Sequence, residues 1–267
     1  GMVLAEAIEL NDPKIIEQAI IRLTLHEVGH TLGLNHNFKG SYLHDIESVH
    51  KPEITSKVGV TASVMEYPAI NLAPLGVKQG DYYDTIPGPY DIWAIKYGYT
   101  PDLSESDLAE IISEQHKAEH MFANDSEDMR SPGRGIDPRA MINDLTNDPI
   151  TYATQRIDLV NNAQENIIAK LSNSINTFEE YRLAHGIFMR EYSRSLEVIS
   201  RHIGGVYVER YDPKNLTSKK PYTPAPSEEQ RRAMKLLNQY AFSWEAFPIN
   251  SELLQMVQVE RRMFDLY

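Results

Sequence analysis

Eleven residues constrain this chain more than any others: His26-Glu27-Val28-Gly29-His30-Thr31-Leu32-Gly33-Leu34-Asn35-His36. On a helix, residues four apart share a face, so His26 and His30 can reach one metal ion. Glu27 lies beside them, placed to accept a proton from a metal-bound water rather than to bind the metal. Gly33 supplies the sharp turn that brings His36 round, because glycine adopts the left-handed conformation without steric cost. Three neutral nitrogens leave a fourth position open for water, the layout of a catalytic rather than a structural Zn2+ site. Zinc lowers the pKa of such a water toward about 7. A bare His-x-x-x-His pair is more often an ordinary surface helix. Five specified positions in one window, each at about 1 in 20, arise by chance on the order of 10^-4 times in a chain this long.

Composition narrows the rest. The 267 residues contain no cysteine, so disulfides and thiolate ligands are excluded and a metal site must use His and carboxylates. The formal net charge of -12 argues against binding to phosphate backbones, and no basic run suggests an anionic membrane surface. Hydrophobic residues at 42% and charged residues at 24% are those of an ordinary globular chain with room for one large domain or two modest ones. The longest apolar runs fall short of the roughly 20 residues a membrane-spanning helix needs. No signal peptide opens the sequence, and Gly1-Met2 reads as a cloning remnant.

Asn11-Asp12-Pro13 predicts a helix start, with the helix running to about Leu32. Ile21, Leu25, Val28 and Leu32 form an apolar stripe along it, which predicts one face toward a core and the two imidazoles toward a cleft. Residues 35–89 read as loops with a few short elements. Helices are expected over Tyr90–Tyr97, stopped by Gly98 and Pro101, and from Ser104 to about Phe122. After a turn-rich stretch, Ile157, Val160, Ile167, Leu171, Ile175 and Phe178 line one helical face, and Tyr181, Phe188, Tyr192, Leu196, Ile199 and Ile203 line another. These predict two long helices, packed as a hairpin or running nearly continuously, and ended by Gly204-Gly205. Val206–Val208 reads as a short strand, 219–226 as a proline-rich connector, and 227–267 as helix again. The fold class expected is mainly α, with a helical bundle in the C-terminal half and few short strands.

The histidine pattern resembles the extended zinc signature of the metzincins, the clan of astacins, serralysins, adamalysins and matrixins. Downstream, Ser63-Val64-Met65-Glu66-Tyr67 is similar to that clan's methionine turn, in the form closest to astacins and serralysins. The resemblance implies zinc held by His26, His30 and His36, with Glu27 as general base. It implies Met65 as an apolar floor beneath them and Tyr67 as an oxyanion donor. Asp91, in Tyr90-Asp91-Ile92-Trp93, is similar to the Asp that opens the clan's C-terminal helix. It is taken as structural, capping that helix or bonding near the active-site helix.

The resemblance covers residues 12–100 and fits best the large bacterial metzincin-like proteins with a helical C-terminal region. It implies a zinc endopeptidase acting on peptide or protein substrates, exported from the cytoplasm, with a catalytic region at 1–100 and a helical region at 101–267. Two departures stand out. The residues ahead of His26 read as helix, whereas metzincins place a twisted sheet there, so the chain is expected to be a C-terminal piece of a larger protease. Asn37 stands where astacins place an acid.

His116-Lys117-Ala118-Glu119-His120 fits the inverted zinc motif but is expected to be a solvated helical face. Asp125, Glu127, Asp128 and Asp137 could offer oxygens to calcium, yet match no defined calcium loop, so capping and turn formation are expected. His44, His50, His185 and His202 stand alone. Asn215-Leu216-Thr217 fits a glycosylation acceptor. Two other readings stay open: a protein-interaction module with a retained but inactive metal site, and a zinc hydrolase of non-peptide amides.

Overall fold

The computed structural model describes residues 12–127, 135–171, 177–210, 220–247 and 250–259. Helix α1 spans Lys14–Thr31 and begins where the sequence predicts, with the Asp12 carboxylate accepting the Lys14 N–H at 3.0 Å. Asn11 lies outside the described residues. The helix ends in the expected left-handed turn, Gly33 having φ 86°.

The packed face of α1 is not the predicted one. Its buried residues are Ile15, Gln18, His26 and Gly29, while Val28 and Leu32 are 47% and 39% exposed and Ile16, Ile20 and Leu23 are exposed with them. The covering element explains this. The 81–83 loop meets Gln18, which donates to Asp81 at 2.9 Å and accepts the Tyr82 N–H at 2.7 Å. The methionine-turn region covers His26 and Gly29. Polar and glycine positions therefore fit here; of the predicted stripe, Ile21 and Leu25 are half-buried, and the Tyr99 hydroxyl donates to the Leu32 carbonyl at 2.9 Å.

From Gly40 to Gly88 the chain is mostly irregular, with 3-10 turns at Gly40–Leu43 and Ser48–His50 and helix α2 at Pro52–Val58. Helix α3, Pro89–Tyr99, runs through Gly98 rather than stopping before it. Helix α4 covers only Glu105–Ser113, started by a Ser104–Asp107 capping box. Two 3-10 turns, Glu114–His116 and Ala118–His120, replace the rest of the predicted helix. The run Glu114-Gln115-His116-Lys117 offers no apolar side chain to bury, so little favours another helical turn.

Helices α5, Pro149–Leu171, and α6, Phe178–Ser200, pack as a hairpin. Their core includes Ile157, Val160, Ala163, Ile167, Ala184, Phe188 and Ile199. Strand β1, Val206–Val208, pairs antiparallel with β2, Tyr222–Pro224, in the register Val206 to Pro224. β2 falls in the predicted connector. It is a three-residue edge strand, a setting in which a terminal proline is tolerated. Helix α7, Ser227–Leu237, places Ala233 and Leu237 in the hairpin core, and the short α8, Ser251–Met256, adds Leu253. The architecture is mainly α with one two-stranded sheet. No described helix is long and apolar enough to cross a membrane.

Candidate metal centre

His26 and His30 stand one helical turn apart on α1, and the Gly33 turn returns the chain so that His36 meets them. One ligand nitrogen from each lies within 4.8 Å of the others, the one such group of His and carboxylate side chains among the described residues. Ring centroids are 4.8 Å apart for His26 and His30, 4.9 Å for His30 and His36 and 5.4 Å for His26 and His36.

The outer nitrogen of each ring is engaged by oxygen. Nδ1 of His26 meets the Val64 carbonyl at 2.8 Å, Nδ1 of His30 the Leu34 carbonyl at 3.1 Å, and Nδ1 of His36 the Asp125 carboxylate at 2.9 and 3.0 Å. Carbonyls and carboxylates only accept, so each Nδ1 carries the proton and each Nε2 keeps its lone pair. Nε2 of His26 is buried with no protein partner, a costly arrangement unless it faces an ion or water. Burial also holds the His26 pKa below the ordinary range, which keeps its imidazole neutral. The donor set thus fits a zinc ion: three neutral nitrogens with one tautomer in common.

The floor is built by the methionine turn. Met65 is fully buried, and a Cβ added at Gly29 would lie 2.4 Å from its sulfur. Glycine between the two helical histidines is what allows the thioether to reach the helix backbone. Asp91 holds the turn itself, accepting from Ser63 Oγ at 2.6 Å, Val64 N at 2.8 Å and Gly88 N at 2.9 Å. It thereby does both structural tasks expected of it: it caps α3 at Gly88 and fixes Val64, whose carbonyl orients His26. The Tyr67 hydroxyl lies 3.0 Å from His36 Nε2. The Arg22 guanidinium sits over the Tyr67 ring, 5.4 Å from its centroid, and donates to the Glu66 carbonyl. Glu27 is exposed beside the cluster, as is His30, so the site is open to solvent on that side.

Several supporting residues escape sequence reasoning. Asn37 is fully buried, donating to the Met121 carbonyl at 3.0 Å and accepting the Ala123 N–H at 3.2 Å. An amide can do both, whereas an acid at this position would set an anion against a carbonyl. Glu66 is buried and accepts from Tyr67 N at 2.8 Å and Ser41 N at 3.2 Å. Burial and the nearby Asp144 charge push its pKa well above the usual carboxylate range. The chain downstream of residue 100 joins the same framework: Ala123 O accepts from Phe38 N at 2.8 Å, Tyr67 O from Asn143 N at 3.0 Å and Asp144 O from Ala69 N at 3.1 Å.

The other candidates go elsewhere. His116 and His120 occupy separate 3-10 turns and bond the carbonyls of Ser113 and Glu114 at 2.7 and 3.0 Å. His120 is buried and stacks on Trp93, so the inverted motif is not wholly the solvated face expected. Asp125 turns to His36. Glu127 pairs with Arg210, and Asp137 pairs with Lys39 and Arg139 at 2.8 Å each. Burial raises the Asp137 pKa, but the two cations outweigh it and hold the carboxyl below the ordinary range. Asp128 and Asn215–Thr217 lie outside the described residues. His44 Nε2 donates to Gly59 O across 2.8 Å, and burial pushes His50 down to about 4.

No curated protein and no solved structure matches this chain. The Met-zincin family profile matches residues 9–265, nearly the whole sequence. With the three histidines, the Gly33 turn and the buried Met65 already in place, this match identifies the chain as a member of the Met-zincin family.

Proposed function

We propose that this chain is the catalytic part of a zinc-dependent endopeptidase, with His26, His30 and His36 as the metal ligands. The observation that carries the reading is the shared tautomer: three Nδ1 atoms bound to oxygen acceptors and three Nε2 lone pairs on one small space. Zinc held there supplies Lewis-acid chemistry toward a water and a carbonyl oxygen. Glu27, next to His26 and open to solvent, takes the proton of the attacking water and delivers it to the leaving amine. Tyr67, steadied by Arg22 over its ring, donates its hydroxyl proton in a hydrogen bond to the oxyanion that forms on the substrate. Met65 keeps the floor apolar, which holds the ligand rings in place. The substrate class is a peptide or protein. The exported location belongs to the same reading and rests on the family resemblance alone.

Elemental analysis of the purified wild type and His36→Ala tests the ligand set. About one zinc per wild-type chain and its loss in the variant are expected. Zinc at equal levels in both would remove His36 from the site. Glu27→Gln is then expected to keep zinc and lose most turnover on a protein substrate; cleavage at the wild-type rate would reject Glu27 as the base.

A further inference from the structure

The three histidines are alike in tautomer but not in what holds them. His26 and His30 lean on neutral backbone carbonyls, Val64 O and Leu34 O, close to them in the fold. His36 alone leans on a charged group, and both Asp125 oxygens lie within hydrogen-bond distance of its Nδ1, at 2.9 and 3.0 Å. The carboxylate comes from a residue 89 positions away in sequence. It is delivered by backbone pairing: Phe38 N donates to Ala123 O at 2.8 Å, and the buried Asn37 amide clasps Met121 O and Ala123 N. Asn124 Oδ1 accepts from Ser126 N at 3.0 Å and so tightens the turn that presents Asp125.

We infer that Asp125 is the positioning residue of the metal centre, fixing His36 as the Nδ1–H tautomer with Nε2 turned to the ion and strengthening that ligand. The inference rests on the zinc reading above. His36 follows a glycine turn and lies outside α1, so it lacks the helix that orients His26 and His30. A carboxylate accepting the outer N–H makes the inner nitrogen a better donor to a metal, and loss of such a partner generally lowers affinity about 10–100-fold. The Asp125 side chain is 61% exposed, and among the described residues it bonds His36 alone, so no described packing requires an acid there.

Zinc affinity measured by chelator competition, for wild type, Asp125→Ala, Asp125→Asn and the remote surface control Glu110→Gln, tests this. Affinity is expected to fall about 10–100-fold in Asp125→Ala, to fall less in Asp125→Asn, which keeps an acceptor oxygen, and to stay unchanged in the control. Nitrogen-15 imidazole spectra give a second readout that a merely structural role would not move. Wild type and Asp125→Asn should show His36 protonated at Nδ1, and Asp125→Ala should show both tautomers. Wild-type zinc affinity and an unchanged His36 tautomer in Asp125→Ala would overturn the role of Asp125 and leave the three-histidine site standing. A wild type that takes up no zinc would instead overturn the metal reading itself, and this inference with it.

Discussion

The loops around the histidines and the α5–α6 hairpin are both buried, yet opposite chemistries hold them. In the hairpin, Ile157, Val160, Ile167, Ala184, Phe188 and Ile199 are fully buried and the driving force is removal of apolar surface from water. Around the three histidines the fully buried residues include Asn37, Ser41, Thr61, Ser63, Glu66, Asn71 and Asp144. There the carboxylates act as acceptors for backbone N–H groups that no helix or sheet satisfies: Asp84 for Val60 and Thr61, Asp91 for Val64 and Gly88, Glu66 for Ser41 and Tyr67. Apolar packing is tolerant of similar shapes, whereas a hydrogen-bonded loop has one good arrangement. The hairpin thus provides stability, and the polar region provides a defined geometry for three imidazoles.

The largest effect is expected from Asp91→Ala. It strands Ser63 Oγ, Val64 N and Gly88 N, each at about 1–3 kcal/mol when buried without a partner, for a loss of roughly 3–9 kcal/mol. It also frees the carbonyl that orients His26, so zinc affinity should fall with stability. Urea unfolding and zinc competition on the same preparation check both; an intact zinc affinity would show that the turn does not depend on Asp91. Phe188→Ala should cost about 3–5 kcal/mol, through a cavity in the hairpin core. Under conditions where the variant remains folded, its zinc affinity should equal that of wild type. A coupled loss would merge the two regions that the comparison separates.

The third test uses pH. Burial pushes the Asp84 carboxyl up to about 6, against the hydrogen bonds from Thr61 and Val60 that favour its charge. The geometry suits the protonated form: Thr61 Oγ1 has one hydrogen and a good acceptor in Ser63 O at 2.7 Å, so Asp84 can donate from Oδ2 to Thr61 Oγ1 across 2.8 Å. A carboxyl whose pKa is raised on folding adds stability that is whole below the unfolded value near 3.8 and drains as pH rises through about 6. At about 1.4 kcal/mol per pH unit, that window is worth about 3 kcal/mol at most. Asp84→Asn does not titrate, so the stability gap between wild type and variant should narrow from pH 4.5 to pH 7.5, two conditions chosen about the expected transition. A gap that widened would reverse the sign of the argument.

The contrast also explains what the sequence made legible. Hydrophobic periodicity reports helices that bury apolar faces, so both hairpin helices could be read from it, and the spacing of His26, His30 and His36 announces its own geometry. The polar framework has no such period. Asp125 and His36 meet across most of a hundred residues, and Asn37, Glu66 and Asp84 read as ordinary surface residues until the loops around them are in place. Asn37 carried one usable signal, since an amide stands where the resembling proteases carry an acid. Periodicity also misled on α1: it finds the residues that share a face but not which face is covered. β2 was masked by its flanking prolines, because pairing with β1 depends on a partner that local sequence does not name.

The smallest expected effect comes from the two faces of α1 itself. Ile20 and Leu23 are 61% and 53% exposed, and no described element packs on them. Replacing both with serine removes little buried surface, so stability should stay within about 0.5 kcal/mol of wild type, with zinc affinity unchanged. Gln18 is the counterpart on the packed face. Gln18→Ala loses its bonds to Asp81 and the Tyr82 N–H and leaves that buried amide unpaired, for a cost of about 1–3 kcal/mol. Measured side by side in urea, the polar substitution should therefore be the milder one and the loss of a polar residue the harsher, the reverse of what hydrophobicity alone predicts for a helix. If the serine pair cost more than Gln18→Ala, the face bearing Ile20 and Leu23 would be covered in the folded protein, and the packed face of this helix would have to be assigned anew.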